Sequence, residues 1–137
     1  MDFATQENNH PYYVKFRRQL DEFHKGLSTD ITLTTTLPTE TRNAVISYLL
    51  ELACQSQNAL NIEIGRKALL ALPKEWLIAN IEPIAKPLLL LESEWEYRRL
   101  VEVYLLLDRK LAGELIKYGI KSKNPNICEA AQDYQEQ

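Results

Sequence analysis

Acid–base or metal chemistry in this chain would have to come from few side chains. Histidine, the residue most used for proton transfer and zinc binding near neutral pH, occurs twice in 137 residues. His10 lies in a polar leader and His24 near the end of the first apolar stripe, and neither has Glu, Asp or Cys at ligand spacing. Cys54 and Cys128 match no metal or redox pattern and sit among apolar or small neighbours. They are expected to be free thiols in a reducing compartment. Carboxylates are denser, with Glu92, Glu94, Glu96, Glu102 and Asp108 close together. Glu94 and Glu96 are two apart, however, and do not share a helix face. Ser93-Glu94-Trp95-Glu96 reads instead as a capping box, in which the serine hydroxyl and the Glu96 carboxylate each take the other residue's backbone amide. No phosphate-binding glycine loop, nucleophile elbow or His-Glu-x-x-His motif is present. The expectation is a protein that is not an enzyme and needs no metal or cofactor.

The remaining chemistry is recognition. Trp95, Tyr97, Arg98 and Arg99, together with Trp76, are the residue types enriched at interaction hot spots, and they are the candidate partner-binding set. The alternative for Trp95 is a place at the edge of the core. Charge is also segregated: residues 92–108 hold five acidic and two basic side chains, and residues 109–123 hold five basic ones against Glu114. The two groups either pair across neighbouring helices, worth about 0–1 kcal/mol per exposed pair, or form a basic ridge that steers a charged partner. A net charge of −3 gives no global pull toward nucleic acid. Tyr118 alone beside the basic residues is thin provision for base stacking.

The elements that would hold these residues read as helices. The length suits one domain, the apolar and charged fractions of 45% and 26% are ordinary, and only four glycines occur. The predicted fold is all-α with six to seven helices, as antiparallel helix pairs stacked in a short superhelix or as an irregular helical bundle: a leader over residues 1–10, then one helical domain over 11–137. Pro11 opens a first helix with Asn9 or His10 as its cap, and Tyr13, Phe16, Leu20, Phe23 and Leu27 form its stripe. Residues 28–41, seven of them threonine, read as an ordered loop pinned by Ile31, Leu33 and Leu37. A second helix starts near residues 38–41 and buries Val45, Tyr48, Leu49 and Leu52. A third buries Ile64, Ala68, Leu69 and Leu72, with Gly65 marking a close helix–helix approach.

Leu77, Ile81, Ile84, Leu88 and Leu91 keep helical phase through Pro83 and Pro87. Interior prolines cost about 3 kcal/mol, so a break near residues 80–82 and a restart at Pro83 are expected. Ser93 opens a fifth helix that buries Leu100, Val103, Tyr104 and Leu107. Asp108 caps a sixth, ended by Gly119, and Asn124-Pro125 opens a last one. The longest leucine run, residues 88–91, is far short of the roughly 20 apolar residues that span a bilayer. The leader lacks the basic and apolar regions of a signal peptide, so a cytoplasmic location without membrane insertion is expected.

Two internal similarities appear. TRNAVISYLLEL (41–52) over YRRLVEVYLLLD (97–108) matches at Arg42/Arg98, Val45/Val101, Tyr48/Tyr104, Leu49/Leu105 and Leu50/Leu106. Asn61-x-x-Ile64-x-x-x-Ala68 similarly matches Asn124-x-x-Ile127-x-x-x-Ala131. Asn124-Pro125-Asn126-Ile127 followed by Glu129-Ala130-Ala131 resembles the start of the second helix in HEAT and armadillo-like repeats, over about residues 38–135. That resemblance implies stacked antiparallel helix pairs and a surface that binds another protein. Two alternatives accompany it. One is a homodimer through the aromatic first helix. The other is a small-molecule pocket at the Pro83/Pro87 kink, lined by Trp76, Ile81 and Ile84.

Overall fold

A computed structural model describes residues 10–87 and 93–135. Among these, the chain is all-helical: seven α-helices and one 3-10 helix, one element more than the sequence predicts. They are α1 (Pro11–Phe23), η1 (Ile31–Thr36, the 3-10 helix), α2 (Thr39–Ala53), α3 (Ala59–Ala71), α4 (Lys74–Ala85), α5 (Glu94–Leu107), α6 (Arg109–Ile120) and α7 (Pro125–Gln135). None of the described helices is long and apolar enough to cross a membrane.

Caps set most of the boundaries. The Tyr12 amide donates to Nδ1 of His10 at 3.1 Å, opening α1 with Pro11 in its first turn. Asn58 takes φ +82, a left-handed conformation that asparagine tolerates better than most residues, and its side chain accepts the Asn61 amide. Asp108 accepts the Leu111 amide at 3.1 Å, so α6 follows α5 with no loop beyond the capping residue. The Ser93 hydroxyl accepts the Glu96 amide at 3.4 Å. Glu96 Oε2 does not complete the return half of that capping box; it is buried without a hydrogen-bond partner.

The threonine-rich segment is more regular than a loop. Asp30 caps it by accepting the Thr32 amide, and the hydroxyls of Thr34, Thr35 and Thr36 donate back to the carbonyls of Ile31, Thr32 and Leu33 at 2.7–2.9 Å. Side-chain bonds to the carbonyl three residues back suit the i→i+3 winding of a 3-10 helix. Ile31 and Thr34, three apart, are accordingly its buried residues, and Leu33 and Leu37 pack on the core.

Pro83 does not interrupt α4, which runs unbroken to Ala85. Ala79 and Pro83 are both exposed, so the Ala79 carbonyl that loses its amide partner faces solvent and can be hydrated. Pro87 lies just past the helix end; Leu88 and Leu91 lie outside the described residues. Gly119 does not end α6 either. It is buried one residue before the helix end, and an added Cβ there would collide with the Tyr97 ring.

α2 is the hub: it packs most closely on α3 and also meets α1, η1, α4 and α5, while α5, α6 and α7 pack on one another. At Gly65 of α3 a Cβ would lie 2.5 Å from the Ala53 amide nitrogen and 2.7 Å from the Leu49 carbonyl oxygen. That is the close α2–α3 approach its sequence position predicts. The α1 stripe is buried against this chain's own core, through Tyr13, Phe16, Leu20 and Leu27.

Candidate interaction surface

The first turns of α5 bring three of the five candidate residues together. Trp95, Arg98 and Arg99 are spaced i, i+3 and i+4, which places them on one helix face. Trp95 is 50% exposed, and the guanidinium carbons of Arg98 and Arg99 lie 5.8 and 5.9 Å from its ring centroid, within cation–π range. Tyr97 points the other way. It is buried, its hydroxyl donates to the Leu115 carbonyl at 2.9 Å, and its ring fills the space beside Gly119. Burial pushes its phenol well above the usual tyrosine range. Tyr97 is thus a core residue that seats α6 on α5. Trp76 is on α4, half-buried, and its cation is Arg42 of α2, 6.0 Å from the ring. Ile81, which would line a kink pocket, is fully buried, and Ile84 packs on the core.

Arg98 ties α5 to α7, and Arg99 joins a network that reaches α3 and α7 through Glu102. Arg98 pairs with Glu94 at 3.4 Å and with Asp133 of α7 at 3.0 Å. Arg99 pairs with Glu102 at 3.2 Å, and Glu102 also pairs with Arg66 of α3 and accepts from the Tyr134 hydroxyl of α7 at 3.2 Å. A single carboxylate therefore serves two guanidiniums, and the buried Nε of each finds no acceptor. Beneath this network lies Cys54, whose thiol burial and the nearby Glu96 carboxylate push up to about 12.

Among the described residues, which exclude Glu92, the acidic and basic helices form no ion pair with each other. Glu94 and Glu102 are used within α5 and toward α3, and Asp108 is a cap. Arg109, Lys110, Lys117, Lys121 and Lys123 are all exposed, and none forms an ion pair among the described residues.

Two surface grooves flank the end of α5. One, of about 570 Å³, runs between α3 and α5; Ile62, Leu70 and Leu106 supply its apolar lining, and Arg66, Lys67 and Arg99 its cations. The other, of about 620 Å³, is lined by Leu105, Ile116 and Tyr134 with Arg109 and Lys117. Leu70 and Leu106 are each 48% exposed and Leu105 is 41% exposed. In the sequence these three leucines pass for part of a core run, because they adjoin the buried Leu69, Tyr104 and Leu107. Their signal was a leucine out of phase with the buried face. Among the described residues no group of three His, Cys, Asp or Glu side chains is placed to hold a metal ion. No family model matches the chain, and no curated protein or solved structure is significantly similar to it.

Proposed function

We propose that the chain is a non-enzymatic protein-interaction module of HEAT/armadillo-like arrangement, and that it binds a partner protein in the α3–α5 groove. The observation that carries this is the pair Leu70 and Leu106, half-exposed on two different helices and facing one concavity whose wall holds Arg66 and Arg99. A partner side chain lodged there would gain about 25 cal/mol per Å² of apolar surface removed from water. Arg99 belongs both to the groove and to the Trp95 cluster, which makes Trp95 and Arg98 the rim of the same site. An aromatic–arginine rim around an apolar centre is the composition typical of binding hot spots.

Support for the repeat arrangement comes from the second internal similarity. Ile64 and Ala68 of α3, and Ile127 and Ala131 of α7, are all buried, so matched positions do matched work. The free thiols Cys54 and Cys128 suit a reducing, cytoplasmic setting.

The test is affinity capture from the native host with the wild-type chain and Leu106→Glu, circular dichroism confirming equal helicity. One partner retained by the wild type and lost by the variant is the expected result. Equal capture by both removes the groove from the function. A dimer in sedimentation that Leu106→Glu dissolves would make the partner a second copy.

A further inference from the structure

We infer that the ligand of this surface is an acidic, leucine-bearing segment of a partner protein, laid across the C-terminal end of α5 so that it enters both grooves; this rests on the protein-binding reading above. Leu106 lines the α3–α5 groove and Leu105 the groove beside α6. They are consecutive on one helix, so the apolar lining continues from Leu70 over the end of α5 to Ile116. A single segment can follow it, with leucines at helical spacing as anchors.

Charge selects the segment. The residues lining the two grooves include five cations, Arg66, Lys67, Arg99, Arg109 and Lys117, and one carboxylate, Glu63. Glu102 behind the wall neutralises only one of the two arginines it touches. Lys67 is tied to Glu63 at 3.2 Å, and Arg109 and Lys117 have no ion pair among the described residues. A strongly cationic strip thus lies on a chain whose net charge is −3. Complementary charge across an interface steers encounter and rejects like-charged partners.

Other occupants fit less well. A nucleic acid would meet the cations but leave the leucine floor without an apolar counterpart, and it would find little aromatic surface to stack on. A symmetric dimer through this strip would set the same cations face to face. A flat lipid surface would not enter the two concavities.

The experiment pans an unbiased library of random phage-displayed peptides on the intact chain. Selected peptides are then titrated by fluorescence polarisation against the wild type, Leu106→Glu and the double variant Lys67→Glu/Lys117→Glu, with circular dichroism as the fold control. The inference expects enrichment of Asp, Glu and Leu. It also expects affinity to fall roughly tenfold or more in Leu106→Glu, several-fold in the double lysine variant, and further with added salt. Basic or neutral peptides that lose binding in Leu106→Glu overturn the acidic ligand and leave the groove standing. Peptides indifferent to Leu106→Glu, or no enrichment, overturn both. A duplex DNA oligonucleotide whose binding needs the lysines and ignores Leu106 overturns the inference in favour of nucleic acid.

Discussion

α2 and α5 share five of twelve aligned residues, yet the two helices live in different surroundings. Leu49 and Leu50 of α2 are fully buried, while their counterparts Leu105 and Leu106 of α5 are 41% and 48% exposed. The matched arginines also diverge: Arg42 lies over Trp76, a residue of α4, and Arg98 over Trp95 of its own helix. α2 is surrounded by α1, η1, α3, α4 and α5, whereas α5 meets α2, α6 and α7 and opens on grooves to either side of its C-terminal end. The same residue string therefore makes core in one place and a candidate binding surface in the other. Helical phase chooses which residues share a face; the number of neighbouring helices decides how many faces are covered.

The largest effect separates the paired leucines. Leu49→Ala leaves a cavity at the α2–α3 contact and should lower stability by about 2–5 kcal/mol in urea denaturation. Leu105→Ala should change it by less than about 0.5 kcal/mol, and equal losses would break the comparison. Next come two glycines. Gly65→Ala must push a Cβ into the backbone of α2 and should cost about 1–3 kcal/mol, the range for overpacking, despite alanine's better helix propensity. Gly113→Ala in α6 meets nothing within 4 Å and should gain up to about 1 kcal/mol from that propensity. Thermal melts of the two variants shifting in the same direction would show that the α2–α3 seam is no tighter than the outer face of α6.

The smallest perturbation is chemical. Cys54, at the end of α2, is buried with its thiol pushed up to about 12, whereas Cys128 in α7 is half-buried. A disulfide reagent at pH 8 should modify Cys128 and spare Cys54 until denaturant is added, because the thiolate is the reacting form. Two thiols reacting at once in the folded chain would mean that the end of α2 is no better enclosed than α7.

Much of the architecture was legible before any coordinates. The α1 stripe from Tyr13 to Leu27, the Asp108 and Ser93 caps and the crowding at Gly65 are local or periodic features, and each occurs where its spacing placed it. The site was legible only in part. Trp95, Arg98 and Arg99 do gather on one face, but Tyr97 was grouped with them by residue type. Its burial depends on Gly119, which makes room for the ring from another helix, and spacing within α5 carries no trace of that.

By itself the sequence determined the all-helical class, most helix starts and the inward faces, because those follow from backbone hydrogen bonding, capping and the 3.6-residue period. Tertiary structure alone decided three things: that the threonines wind a 3-10 turn against the core, that Glu102 of α5 pairs with Arg66 of α3, and that Leu70, Leu105 and Leu106 are left uncovered. The physical reason is common to all three. Burial and ion pairing depend on which helices arrive from elsewhere in the chain, and a helix's own sequence carries little record of its neighbours.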